Sequence, residues 1–206
     1  MQMPEISAKD VQRLRQIAGV GMMDAKKALV ETEGDMDKAA EILRVRGLAK
    51  VAKRAGEREA NQGSIGTYIH HQAERPVIGV LVDLASETDF VAKHPDFNAV
   101  ANDIALHIAW GRPGWIRRDD VDPAVLAEER DFATRQAREE GKPENIIGKI
   151  VDGKIKAFYE TNVLYEQKFA NTEKFEGTVE AYVNQLAAKM GENISVRRMA
   201  RLEIGD

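Results

Sequence analysis

Between residues 7 and 47 the apolar positions recur at intervals of three and four, the spacing of one helix face. Ser7 stands where an N-cap belongs, ahead of Val11, Leu14 and Ile17, and Gly19 stands where a C-cap glycine belongs. A second helix follows Gly21 and carries Met23, Ala28 and Leu29 as far as Gly34. Asp35 caps a third, with Met36, Ala40 and Leu43 on one stripe and Gly47 as its stop. Short helices joined by glycine-containing turns predict a compact three-helix domain over residues 1–48. The chain then changes character: Arg44, Arg46, Lys50, Lys53, Arg54 and Arg58 face only Glu57 and Glu59. Residues 49–62 are expected to form a basic helical linker. A solvated helix face is the plainer reading of that charge, and an acidic or phosphate-bearing partner the alternative.

From Gly63 the period becomes that of a strand. Ile65, Thr67 and Ile69 alternate with Gly66, Tyr68 and His70, and Ile78, Val80, Val82 and Leu84 alternate with Gly79, Leu81 and Asp83. With Ala73-Glu74-Arg75-Pro76 between them, the two runs predict an antiparallel hairpin whose Ile78-to-Leu84 face covers helices. After Phe90 helices return: a stripe of Phe97, Val100, Ile104 and Ile108, a charged amphipathic stretch from Val121 to Glu140, and a helix after Pro143 carrying Ile146, Ile150, Ile155 and Phe158. A last helix carries Phe175, Val179, Tyr182, Val183, Leu186 and Met190 and ends at Gly191. The tail alternates again, with Ile194, Val196, Ala200, Leu202 and Ile204 on one side, broken only by Arg198. This closing strand completes a three-stranded antiparallel sheet backed by helices, residues 63–206. The class is α+β.

Composition narrows the functional choices. The 206 residues are 43% hydrophobic and 31% charged, a balance that argues against wholesale disorder, and no apolar run is long enough to cross a bilayer. Met1-Gln2-Met3-Pro4-Glu5-Ile6-Ser7 lacks the basic end and apolar stretch of a secretory signal, so a cytoplasmic location is expected and no membrane partner. The absence of cysteine excludes disulfides, thiol catalysis and thiolate zinc sites, and a net charge of -4 disfavours a broad phosphate-binding face.

Candidate chemistry is sparse. Gly19-Val20-Gly21-Met22-Met23-Asp24 has neither the preceding strand nor the following Gly-Lys-Ser/Thr of a phosphate loop, so no nucleotide cofactor is expected. His70 and His71 are neighbours in a strand and point to opposite faces. Asp103 and His107 lie four apart on a helix and could chelate, with His94 and Asp89 as further ligands. No HExxH or His-Asp dipeptide accompanies them, so neither a resident metal nor enzyme chemistry is expected, with a metallohydrolase as the outlying alternative. Trp110 and Trp115 flank a Gly-Arg-Pro-Gly turn beside Arg117 and Arg118; packing of that loop outweighs a nucleic-acid stacking platform in an acidic chain. One segment resists a bland reading. Glu87-Thr88-Asp89-Phe90 follows the second strand directly, and Phe90 is either a core anchor or a presented wedge. By residue type alone the anchor is favoured, since large aromatics usually bury.

Gly21-Met22-Met23-Asp24-Ala25-Lys26-Lys27-Ala28-Leu29 closely resembles the N-terminal signature of the bacterial elongation factor Ts family. Tyr68-Ile69-His70-His71, Glu87-Thr88-Asp89-Phe90-Val91-Ala92 and Gly191-Glu192-Asn193-Ile194-Ser195-Val196-Arg197-Arg198 resemble its later signatures, in order, as do the stretches around Gly141-Lys142-Pro143 and from Leu164 to Phe169. The resemblance implies a ubiquitin-associated-like N-terminal domain and guanine-nucleotide exchange on elongation factor Tu in translation elongation. It implies docking through Leu14, Met22, Met23, Lys26 and Lys27. It also implies displacement of the partner's magnesium by Thr88, Asp89, Phe90 and Val91, which turns the expectation for Phe90 toward the wedge. The chain departs from the family at Ser86, often Cys; at Lys168, often Pro; and at Gly148, where an acidic residue is usual. Its length resembles the short members with a single core unit, which are expected to pair as homodimers. A passive adaptor that binds without exchange is the competing reading.

Overall fold

The computed structural model describes residues 6–18, 20–57 and 59–205. Gly19 and Arg58, which the pattern placed at a helix end and in the linker, lie outside them, as do the side chains of Lys50 and Arg54. Among the described residues, eight α-helices and three strands follow the chain order α1 (Ala8–Ala18), α2 (Met22–Glu31), α3 (Met36–Glu57), β1 (Gln62–Gln72), β2 (Arg75–Ser86), α4 (Asp89–Ala92), α5 (Pro95–Gly111), α6 (Pro123–Glu139), α7 (Glu144–Asn162), α8 (Val179–Met190) and β3 (Ser195–Glu203). The class is α+β. The residues group into two compact units. The first is Met1–Gly63 with Ala85–Phe97 and Val183–Ser195; the second is Ser64–Leu84, Asn98–Tyr182 and Val196–Asp206.

In the first unit α1, α2 and α3 close around Val11, Leu14, Ala25, Ala28, Leu29, Ala39 and Leu43. The caps are those the residue types dictate. The Asp10 N–H donates to Ser7 Oγ at 3.1 Å, and the Lys38 N–H donates to Asp35 Oδ1 at 3.0 Å. Gly34, with φ +88°, supplies the left-handed residue that turns the chain from α2 toward α3. Two expectations are corrected. Ile17 is exposed, one position past the face that Val11 and Leu14 bury. Gly47 does not stop the third helix, which runs on to Glu57 and takes in most of the expected linker. A Cβ at Gly47 would lie 3.2 Å from the Cβ of Ala188, so this glycine serves a close approach within the helix rather than an ending.

The sheet has the order β1-β2-β3. Ala73 and Glu74, both with positive φ, form the two-residue turn of the β1–β2 hairpin, a conformation more often given to Asn or Gly. Ile78, Val80, Val82 and Leu84 are buried on one face of β2, and Phe97, Val100, Ile104 and Ile108 form the buried stripe of α5, both as expected. At Gly66 an added Cβ would sit 2.2 Å from the Ala101 carbonyl oxygen, so β1 and α5 meet main chain to main chain. α6 and α7 form a helical hairpin with its own core of Ala133, Ala137, Ile147, Val151 and Ile155. The buried stripe of α7 is thus Ile147-Val151-Ile155, and Ile146 is exposed, one residue off the expected face. Pro143 is the N-cap of this helix.

β3 pairs antiparallel with β2, the Ile204 N–H donating to the Val77 carbonyl at 3.0 Å. Its expected apolar side is not continuous: Ile194 and Val196 are buried, whereas Leu202 is 78% exposed and Ile204 is also exposed. The alternation shifts at Arg197 and Arg198, two successive exposed residues whose guanidiniums both donate to the buried Asp83 carboxylate at 2.9–3.0 Å. The Arg197 and Arg198 guanidiniums hold the Asp83 carboxyl below its ordinary range against the opposing effect of burial.

Candidate partner-binding site

β2 ends at Ser86, and the next residues turn into the single-turn helix α4. Thr88 is its N-cap, its Oγ1 accepting from the Val91 N–H at 3.4 Å, and the Ser86 hydroxyl donates to the Thr88 carbonyl at 3.0 Å. The turn is fastened from the segment after α8. The Glu192 carboxylate accepts from the N–H groups of Glu87 and Thr88 at 3.0 and 3.1 Å and from the Thr88 hydroxyl at 2.5 Å. In return, Glu87 Oε1 accepts from the Asn193 N–H at 2.7 Å. On this turn Phe90 is 83% exposed, the most exposed of the large hydrophobic side chains among the described residues. It is not an anchor. Asp89, also exposed, pairs with Lys93 at 2.6 Å, and that hydrogen bond holds its carboxyl below the usual range. An ionised acid and a bare aromatic ring therefore share a rigid turn that faces solvent.

The second candidate group is divided by burial. Met22, Met23, Lys26 and Lys27 are exposed at the start of α2, whose buried face is Ala25, Ala28 and Leu29. Leu14 has no accessible surface and is a core residue of the three-helix cluster. A side chain without exposed surface cannot touch a partner, so its place among the docking residues is corrected. Ile17, expected in the core with Val11 and Leu14, precedes Met22 and Met23 in the chain and is exposed as they are.

The residues once weighed as metal ligands are engaged elsewhere. Asp103 accepts from the Lys174 ammonium at 2.6 Å and the Tyr182 hydroxyl at 3.0 Å. Buried His107 accepts at Nδ1 from the Ala170 N–H at 3.2 Å, which leaves Nε2–H to donate to Gln167 Oε1 at 2.8 Å. Among the described residues no group of three or more metal-ligating side chains converges. Trp115 packs on Phe158, and Arg118 lies over Tyr159 with its guanidinium paired to Glu166. Trp110, however, is exposed against the edge of His70, contrary to its expected packing.

On the outer face of the sheet Ile65, Ile69, Leu81, Leu202 and Ile204 are all exposed. A Cβ at Gly79 would touch Ile69 Cδ1 at 3.5 Å, and the Ile204–Val77 pairing brings Leu202 beside Gly79, so these side chains share one side. No helix among the described residues is long and apolar enough to cross a membrane.

A family model described as Elongation factor TS matches residues 5–176. The chain is 47% identical over 202 residues to an Elongation factor Ts of Fervidobacterium nodosum, covering 98% of this chain and 100% of that protein. It is 48% identical to an Elongation factor Ts of Alkaliphilus oremlandii and 46% to one of Geobacter sulfurreducens, each match covering 98% of this chain and 90% of the relative.

Proposed function

This chain belongs to the elongation factor Ts family, and on that premise we propose that it is a cytoplasmic guanine-nucleotide exchange factor for elongation factor Tu, without covalent chemistry of its own. The observation that carries the reading is Phe90, a bare aromatic ring held on a fastened turn beside an ionised Asp89. Burial in a partner is the ordinary fate of such a ring. Thr88, Asp89, Phe90 and Val91 disturb the magnesium and phosphate site of Tu. The ion bridges phosphates and switch residues, so loosening it weakens the nucleotide. Exchange is a coupling between two binding events and is reciprocal: as this chain weakens GDP on Tu, GDP weakens this chain on Tu by the same factor. Each tenfold loss of nucleotide affinity requires about 1.4 kcal/mol of preference for the nucleotide-free partner.

The work divides along the chain. Residues 1–48 dock through Met22, Met23, Lys26 and Lys27, where flexible thioethers suit an adaptable apolar contact. Residues 49–62 connect, and residues 63–206 act on the nucleotide site and pair two copies. The pairing surface is the outer sheet face around Leu81 and Leu202, an exposed apolar patch of the kind that marks association. Stopped-flow release of a fluorescent GDP from Tu tests the reading. Substoichiometric amounts of this chain accelerate release, and Phe90→Ala loses most of that acceleration. Binding to Tu without acceleration makes the chain a passive adaptor instead.

A further inference from the structure

We propose that Glu192 is the positioning residue of the exchange turn, an inference that rests on the reading of Phe90 as the wedge. Three donors converge on its carboxylate: the Glu87 N–H, the Thr88 N–H and the Thr88 hydroxyl. The third bond sets the work of the other two. By donating its hydrogen to Glu192, Thr88 presents an oxygen lone pair to the Val91 N–H and so caps the single turn that carries Asp89 and Phe90. A helix of four residues has too few internal bonds to hold itself. Its direction is set from outside, by Glu192 and by the reciprocal bond from the Asn193 N–H to Glu87. The Phe90 ring carries no hydrogen-bonding group and is 83% exposed, so its aim is the aim of the turn. Glu192 stands on a segment 104 residues away in the chain from Thr88, which makes this a tertiary clamp rather than a local cap.

The test is GDP release from Tu against concentration for the parent, Glu192→Ala, Glu192→Gln, Phe90→Ala and the Glu192→Ala/Phe90→Ala double variant. Hydrogen bonds to a charged group are strong enough that Glu192→Ala lowers the maximal release rate about tenfold or more, with the half-saturating concentration unchanged. Glu192→Gln keeps one acceptor oxygen and falls between. Because Glu192 acts through the turn, Glu192→Ala adds nothing to Phe90→Ala. Full additivity of the two losses, a rise in half-saturation alone, or a parental rate in Glu192→Ala overturns the proposal. Amide hydrogen exchange at Thr88 and Val91 reads the clamp without any partner: protection lost in Glu192→Ala sustains it, and protection retained overturns it. Phe90→Ala indistinguishable from the parent sinks the wedge reading itself, and the partner-free amides keep that failure separate from a failure of the clamp.

Discussion

Phe90 illustrates what a residue type does not determine. A phenylalanine beside an acid buries or projects according to whether the chain that carries it is held down, and here Glu192 and Thr88 hold it with the ring outward. Phe90→Ala therefore leaves stability within about 0.5 kcal/mol of the parent, as surface changes do, whereas truncating a buried Phe costs about 3–5 kcal/mol. Urea unfolding of the variant beside the release assay checks both halves. With chelator in place of magnesium, Phe90→Ala and Asp89→Ala approach the parent; defects of equal size in chelator remove magnesium displacement from the account. His107 shows the reverse situation, a titratable group fully enclosed. Burial lowers its pKa, and the hydrogen bond that it donates to Gln167 only partly opposes that. The unfolded chain thus binds the proton more readily. Stability is complete above the ordinary histidine value of about 6.5 and falls as pH drops through the folded value. Unfolding midpoints measured between pH 5 and 7 rise with pH in the parent, and the slope flattens in His107→Gln.

At the scale of the element, helix existence was legible in the spacing, and helix faces were legible wherever two or more core positions agreed, as in α5. The misses lie one residue off the true face. Ile17 and Ile146 are apolar residues beside a buried stripe, and an isolated segment cannot say which of two adjacent stripes the rest of the fold covers. Gly47 reads as a stop because glycine usually ends helices, and only the approach of Ala188 explains its place inside one. α7 contains two glycines, Gly148 and Gly153, at which an added Cβ meets nothing within 4 Å. Neither serves packing, so Gly148→Ala and Gly153→Ala each stabilise by about 1 kcal/mol, read as a rise in melting temperature of roughly 2–4 °C. At the start of α2 the opposite holds, since Met22 and Met23 stand on the exposed side. Met22→Ser/Met23→Ser raises the half-saturating concentration for Tu and leaves the maximal release rate and the melting temperature near the parent's. An equal loss of melting temperature makes them structural.

For the whole molecule, the pattern carried the α+β class and the three-stranded sheet, but not the flip of β3. Strict alternation from Ile194 to Ile204 promises a single apolar side, and the pull of one buried carboxylate on both Arg197 and Arg198 moves the second half of that side outward. That flip adds Leu202 and Ile204 to the exposed apolar face of the sheet, the surface proposed to pair two copies. Sedimentation at micromolar concentration finds a dimer, and Leu81→Asp/Leu202→Asp converts it to a folded monomer. A parent that sediments as a monomer removes the pairing. The clamp on the exchange turn has a further consequence in time. A ribosome making this chain completes Thr88 104 residues before it reaches Glu192. The three-helix cluster, whose buried residues end at Leu43, is by then long since made. A nascent chain that stops short of Glu192 therefore presents its three N-terminal helices while the turn is still unset. On the reading proposed above, such a chain occupies Tu without emptying it. On the same reading, the onset of exchange follows the synthesis of Glu192 and not that of Phe90.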